Sequence, residues 1–254
     1  MPDVFDCAVI SNERLNDTVF SVAVSCKEIA ETARAGQFVG IRCGAERILR
    51  RPVSICRAGN GELEFIFEIK GEGTQWLSER IPGQKLDILG PLGNGFDMPD
   101  CRTILVGGGI GAPPMLFAAK TAKGPATAIL GFRSSDNVIL VNEFEEICEN
   151  VILTTDDGSR GLRGTVAAPL EELLKNGAYK YVAACGPRPM LSAVAAICAQ
   201  YAVPCQASLE ERMGCGIGAC AVCVCATQID AAAQMSRVCK DGPVFDAETV
   251  VWTR

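Results

Sequence analysis

Along the first 98 residues the apolar positions gather into short runs, TVFSVAVSC, GQFVGIRC, LEFIFEIK and QKLDILG, each bounded by polar or turn-forming residues. Val, Ile and Phe dominate them, and such side chains fit a pleated, half-buried surface. Gly-Asn-Gly and Pro-Gly signals stand between the runs. The segment is therefore expected to form an antiparallel β-barrel or sandwich, with one helix at TQWLSER.

From Cys101 the pattern changes. TILVGGG reads as a buried strand running into glycines, and PPMLFAAKTAKG as a helix with Pro at its start and Gly at its end. TAILGFRSS, VILTTDDGS and YVAACGPRP repeat the strand-then-loop plan, with helical EFEEICEN, VAAPLEELLKNG and PMLSAVAAICAQ among them. Strands alternating with helices imply right-handed crossovers and a parallel sheet. Beyond Leu209 lies a short tail that holds a cysteine-rich loop and a final VCKDGPVFDAETVVW. The expected fold class is multidomain α+β. It comprises an antiparallel β-barrel over residues 1–98, a central α/β parallel-sheet nucleotide-binding domain over 99–209, and a small C-terminal domain over 210–254.

Lys and Arg number 24 against 30 Asp and Glu, a formal charge of -6, which argues against nucleic acid or an anionic membrane as partner. MPDVFDCAVI lacks the basic and apolar regions of a signal peptide, and Gly and Pro break the longest apolar runs. A cytoplasmic protein is expected. Histidine is absent, which excludes His acid–base catalysis, Ser-His-Asp triads and His-ligated metals. Any metal must be held by sulfur or carboxylate. The 14 cysteines belong to a reducing compartment and so are not read as disulfides. Nine are scattered, several in apolar contexts such as Cys101 and Cys198, and are read as small buried hydrophobes.

The other five stand closer together. Cys215, Cys220 and Cys223 follow C-x4-C-x2-C spacing, and Cys239 comes sixteen residues later. That is the plant-type arrangement for a 2Fe-2S cluster. Four thiolates must converge on two irons while backbone amides reach the sulfurs. Gly214, Gly216, Gly218, Ala219 and Ala221 remove the bulk that would block so tight a wrap. A four-cysteine zinc site usually arrives as two C-x2-C knuckles, and only Cys220 and Cys223 make one. Cys225, in the alternating run AVCVCAT, is surplus and is read as a packing residue, although in an extended segment it would share a face with Cys223.

A cluster moves single electrons and needs a second group to exchange them with. Taken alone, RRPVS (Arg50 to Ser54) is a basic pair before a turn. GEGT, Gly71 to Thr74, fits a pyrophosphate cradle at a helix start, and Thr74 fits an ordinary helix cap equally well. VGGGIGAP, Val106 to Pro113, lies between strand and helix and is dinucleotide-like, with Gly107, Gly109 and Gly111 keeping the turn open, though it is not G-x-G-x-x-G. ACGPRPM, Ala184 to Met190, is a second such turn at the carboxyl edge of the sheet, where ligands collect. Cys185 there is either a core thiol or one that faces a nicotinamide. In GFRSSDN, Arg133 or Ser134 would favour a 2′-phosphate and Asp136 would repel it.

In this order, RPVS, GEGT, GGGIGAPPM, CGPRPM and a cysteine tail resemble the ferredoxin–NADP-reductase superfamily. Within it, EERMGCGIGACAVCVC and RVCKDGPVF resemble the electron-transfer subunits of class B dihydroorotate dehydrogenases, and the likeness runs essentially end to end. The resemblance implies FAD held by Arg51, Pro52, Val53 and Ser54, with Arg51 against the pyrophosphate and Ser54 near the isoalloxazine edge. Ile66, Phe67 and Glu68 would line that site, and Gly73 and Thr74 would take its phosphates. NAD would sit against Gly107, Gly108, Gly109, Gly111, Cys185, Gly186 and Pro187. Cys215, Cys220, Cys223 and Cys239 would be the cluster ligands. Two positions depart from the pattern: Val53 stands where Tyr is common, and Glu68 where a cation or a neutral residue is expected.

The implied activity is an oxidoreductase of two kinds of subunit, arranged as a heterotetramer of two copies of each. An FMN-carrying catalytic partner oxidises dihydroorotate to orotate in pyrimidine biosynthesis. Electrons then pass singly through the cluster to FAD, and NAD+ takes a hydride. No residue of this chain suits dihydroorotate chemistry. The small subunit of a ferredoxin:NADP oxidoreductase or of a sulfide dehydrogenase shares the layout, but tends to carry Asp where this chain has Cys215.

Overall fold

The N-terminal apolar runs close into a six-stranded barrel in the computed structural model, which describes residues 2–229 and 232–252. Its strands are β1 (Asp3–Arg14), β2 (Val19–Ser25), β3 (Phe38–Ile41), β4 (Arg51–Gly59), β5 (Glu62–Glu68) and β6 (Lys85–Leu92). They pair antiparallel in the closed order β1-β2-β5-β4-β3-β6. In β6 the side chains alternate strictly, with Leu86, Ile88 and Leu92 turned inward. Helix α1 (Lys27–Ala30) buries Ile29, and helix α2 (Glu72–Ser78) buries Leu77.

Two barrel strands lie outside the runs that the sequence pattern marks. β1 buries only Cys7 and Val9 of its twelve residues, and it is held by pairing with both β2 and β6. β4 begins at Arg51, so RRPVS is the start of a strand and not the approach to a turn. Pro52 is tolerated there because it stands near the strand's end.

The central domain alternates as expected. Its elements are β7 (Thr103–Gly108), α3 (Ala112–Thr121), β8 (Ala126–Phe132), α4 (Val141–Glu145), β9 (Asn150–Thr155), β10 (Leu162–Arg163), α5 (Ala167–Lys175), β11 (Tyr181–Cys185), α6 (Arg188–Gln200) and β12 (Cys205–Ser208). The helix expected at EFEEICEN begins earlier and is short, because Asn150 already belongs to β9. The tail adds a hairpin of β13 (Val224–Ile229) and β14 (Ala232–Arg237), then β15 (Val244–Asp246). β15 returns to the central sheet and pairs antiparallel with β12, Ala207 opposite Phe245. The sheet order is β10-β9-β8-β7-β11-β12-β15, so growth reverses direction between β7 and β11.

Two cores hold these units together. One runs from the barrel (Ile55, Phe65, Ile88) through α3 (Met115, Leu116) to one face of the sheet (Leu105, Leu130). Residues Ala112 to Ala119 of α3 are all buried, between β7 on one side and β4 on the other. A helix apolar on every side belongs between two layers. The second core covers the other sheet face (Ile104, Val106, Val182). It continues into the tail at Cys223, Val238 and Cys239 and takes Phe38 and Leu92 from the barrel. Among the described residues no helix is long and apolar enough to cross a membrane.

Of the nine scattered cysteines, Cys7, Cys26, Cys43, Cys56, Cys148 and Cys198 are buried, and Cys101, Cys185 and Cys205 are half-buried. Burial pushes Cys148 up from 9.0 to about 11 and Cys185 up to about 12. The native state keeps these protons while the unfolded chain sheds them, so stability falls as pH rises above 9. Denaturant titrations between pH 8 and 11 are expected to show that decline, and Cys148→Ala should make it shallower. Phe65→Ala, at a fully buried barrel position, is expected to cost about 3–5 kcal/mol in urea denaturation.

Candidate functional site

The sheet sets the two nucleotide-like turns side by side. β7 and β11 are adjacent and parallel, with Gly107 opposite Cys185. Val106 to Pro113 and Cys185 to Pro187 therefore leave the carboxyl edge together, at the switch point of the sheet order. A β-carbon on Gly111 would overlap the Cys185 carbonyl, so this backbone-on-backbone contact admits only glycine. Cys185 is half-buried beneath the turn. Burial raises its thiol to about 12 against the opposing hydrogen bond to Ser208, which keeps it neutral at physiological pH.

Opposite this edge stands the barrel lip, Leu49 to Pro52. Between them opens a cleft of about 600 Å³, which Gly186, Pro187, Leu191 and the approach to the cysteine loop, Leu209 to Met213, also line. A larger hollow of about 740 Å³ lies at the amino edge of the sheet, beside Phe96, Lys123, Lys180 and Tyr181, and none of the expected site residues lines it.

Arg50 and Arg51 do different work. Arg50 is tied to the barrel: its Nη1 lies 2.6 Å from Asp87 Oδ1 and donates to the Gly40 and Asp87 carbonyls. Arg51 has no carboxylate partner among the described residues. It donates to the Leu49 carbonyl at 2.6 Å and lies against Gly73, where a β-carbon would overlap its Nε. A cation free of acidic partners, over a glycine floor and at the mouth of a cleft, suits the pyrophosphate of a flavin dinucleotide.

The other barrel positions divide. Thr74 serves as a cap: its hydroxyl accepts the Lys70 and Gly71 N–H groups at 2.9 and 3.3 Å and donates to the Gly71 carbonyl. Pro52 is exposed and Ser54 half-buried, while Val53, Ile66 and Phe67 are turned into the core. Phe67 stacks on Phe20 with ring centroids 6.3 Å apart. Glu68 is paired with Lys70 at 3.6 Å, so its carboxylate has a cationic neighbour although position 68 itself is acidic.

In the cysteine loop hydrogen bonds link the cysteines as two pairs, Cys215 with Cys220 and Cys223 with Cys239. Backbone N–H groups aim at them: Gly218 to Cys239 Sγ at 3.1 Å, Cys220 to Cys215 Sγ at 3.4 Å, and Cys239 to Cys223 Sγ at 3.4 Å. Burial alone would push Cys215 up, but the N–H groups of Cys220, Ile217 and Ala219 hold it down at about 6. Cys239, buried and facing Cys223, is pushed up to about 12, and a metal would deprotonate it outright. Two sulfur pairs with amide donors suit two irons, each taking one pair. Among the described residues no three Cys, Asp or Glu side chains surround a single metal position.

Gly218 has φ +82°, and a β-carbon there would meet Lys240 Cδ at 2.6 Å, so no larger residue fits. Cys225 is buried on β13 within the second core, paired across the hairpin with Ser236. At the rim, Cys220 is exposed between the exposed apolar side chains of Ile217 and Val222.

Sequence reasoning missed one constellation. Arg188, at the start of α6, pairs with Glu211 at 3.5 Å, donates to the Val251 carbonyl at 3.0 Å and lies 5.9 Å from the Trp252 ring centroid. It ties the nucleotide turn to both ends of the tail. No spacing rule links positions so far apart in the chain.

Residues 210–251 match the family model described as the iron-sulfur cluster binding domain of dihydroorotate dehydrogenase B. The chain is also 40% identical over 246 residues to the dihydroorotate dehydrogenase B (NAD(+)) electron transfer subunit of Caldanaerobacter subterraneus subsp. tengcongensis, covering 96% of this chain and 97% of that one. The chain belongs to this family. Its member from Fusobacterium nucleatum is 38% identical over 258 residues, covering 96% and 97%. Among solved structures, an NADH-dependent reduced ferredoxin-NADP oxidoreductase studied for flavin-based electron bifurcation aligns with a TM-score of 0.86 at 29% identity, covering 97% of this chain and 90% of that one. A ferredoxin NADP+ reductase from Neisseria gonorrhoeae with bound FAD and NADP shares the fold, with a TM-score of 0.64 at 16% identity over 78% and 91%.

For this electron transfer subunit, Cys223→Ser and Cys239→Ser are expected to abolish cluster retention, whereas Cys225→Ser should keep it. Iron and sulfide assays with visible absorption make the comparison, and loss of iron from Cys225→Ser would overturn the ligand assignment.

Proposed function

We propose that the chain is the electron transfer subunit of a dihydroorotate dehydrogenase B. It receives the electrons that an FMN-carrying catalytic subunit removes from dihydroorotate, and delivers them to NAD+ on the route to pyrimidine nucleotides. The observation that carries this reading is the cleft of about 600 Å³ on which the barrel lip, the carboxyl edge of the sheet and the approach to the cysteine loop all open. FAD bound there and a 2Fe-2S cluster in the adjoining cysteine loop would supply the exchange between paired and single electrons.

The chain's own part is to bind and to position. Arg51 offers its unpaired guanidinium to the flavin pyrophosphate. Pro52, Val53, Ser54, Ile66, Phe67, Glu68, Gly73 and Thr74 complete that side, the core-facing members through their backbone. Gly107, Gly108, Gly109, Gly111, Cys185, Gly186 and Pro187 receive NAD, and Leu49 and Leu191 shield the cleft from water. Hydride transfer needs ring contact and no protein acid or base, which agrees with a chain that has 0 histidines. The four cluster ligands are Cys215, Cys220, Cys223 and Cys239. The exposed Cys220, flanked by Ile217 and Val222, favours docking of the catalytic subunit over the cluster. Two copies of each subunit in the cytoplasm complete the proposal, and the 14 free cysteines favour such a reducing compartment.

The test is a visible spectrum of the purified full chain before and after NADH, with flavin, iron and sulfide assays. Both flavin and iron–sulfur bands should bleach with NADH, and dihydroorotate should be inert until the FMN subunit is added. Oxidation of dihydroorotate by the chain alone, absence of flavin, or a response to NADPH only would overturn the reading. Arg51→Gln removes a charged hydrogen bond of about 1.5–3 kcal/mol. It should weaken FAD binding about ten- to hundredfold in a fluorescence titration.

A further inference from the structure

One arginine grips the cysteine loop from outside. Arg237 closes β14 two residues before Cys239. Its guanidinium is fixed on Asp241 through Nε–Oδ2 at 3.1 Å and Nη2–Oδ1 at 3.2 Å, and the same carboxylate accepts the Arg237 backbone N–H at 2.8 Å. The remaining Nη1 donates to the Gly218 carbonyl at 3.2 Å. The Gly218 N–H, on the other side of the same residue, donates to Cys239 Sγ at 3.1 Å. The carboxylate therefore seats the guanidinium, and the guanidinium seats a residue that donates to a ligand sulfur.

A donor on the Gly218 carbonyl fixes the orientation of that residue, and with it the aim of its N–H at Cys239 Sγ. N–H groups on cluster sulfurs favour the state with more negative charge, and that state is the reduced one. Asp241 sits against the guanidinium, so the pair adds little net charge, and both side chains are about one-third exposed, 35% and 36%. Direct charge on the cluster is thus largely cancelled and screened. Orientation of Gly218 and its N–H remains.

We propose that Arg237 is a positioning residue that raises the reduction potential of the cluster, acting through Gly218 and held in place by Asp241. The inference rests on the cluster reading of Cys215, Cys220, Cys223 and Cys239. It assigns Arg237 a role beyond folding, since a merely solvated ion pair would leave the potential unmoved.

The test is an EPR-monitored redox titration of the full-chain holoprotein carrying Arg237→Met, Arg237→Lys or Asp241→Asn, after iron and sulfide have been counted in each. Arg237→Met should keep its cluster and shift the one-electron equilibrium about tenfold toward the oxidised form, about 59 mV lower in potential. Arg237→Lys, which cannot hold Asp241 with two bonds and also reach Gly218, should shift it in the same direction by less. Asp241→Asn should also lower the potential, because it frees the guanidinium from its seat. If bare charge were the cause, Asp241→Asn would raise the potential, and that result would overturn the proposal. So would an unchanged potential in a cluster-loaded Arg237→Met. Should that variant lose iron, Arg237→Lys decides by the same criterion, and loss of iron from both assigns Arg237 to folding alone. A parent chain without iron and sulfide would instead sink the cluster reading itself.

Discussion

Helix α3 has no solvent face. From Ala112 to Ala119 it is packed between strand β7 and barrel strand β4, and each large apolar side chain buried there contributes about 1.5–3 kcal/mol. Separating the barrel from the sheet would expose the barrel-facing side of that helix. Interfaces between domains of one chain are usually more polar and allow relative motion. Here the core is continuous across the boundary, so the width of the cleft between Arg51 and Gly186 is a property of packing and not of a hinge. Groups that must meet at contact distance are held by the same burial that keeps the chain folded.

The opposite face of the sheet does the equivalent for the cysteine loop. Cys223, Val238 and Cys239 share a core with Ile104, Val106 and Val182, together with Phe38 and Leu92 of the barrel. Polar ties reinforce it: the Asn94 side chain donates to the Lys240 and Asp241 carbonyls at 3.4 and 3.1 Å, and its backbone N–H to the Gly242 carbonyl at 2.7 Å. The tail is thus seated on the barrel and the sheet at once. Sulfurs that carry negative charge need amide donors nearby, and those donors can be aimed only if the loop has a fixed floor.

Much of this was legible in the residues. Four barrel strands, the alternation after Cys101 and the C-x4-C-x2-C set followed from apolar pattern and spacing. β1 was not, because its polar side chains conceal a strand held by backbone pairing on both edges. β4 was hidden by Arg50-Arg51-Pro52, a tripeptide that local chemistry assigns to a turn and tertiary pairing draws into a barrel. The adjacency of the two nucleotide-like turns depends on the β7–β11 pairing across 70-odd residues of sequence, which no local signal encodes. The division of labour between Arg50 and Arg51 was equally invisible, since it is set by Asp87 on a distant strand. Arg188, Glu211 and Trp252 meet only once the tail has folded back.

The return of β15 to the sheet has a bearing on the fate of the chain in the cell. Without it, β12 would present a row of unpaired N–H and C=O groups along Cys205–Ser208, a template for strands of other molecules. β15 covers that row and, with three residues, offers only a very short edge of its own. It is carried on the same tail as Cys239, beginning five residues downstream of the ligand. Whatever loosens the ligand segment therefore also uncovers an adhesive edge. The stretch that presents the last ligand is thus also the one that keeps the sheet from offering a strand edge to other molecules.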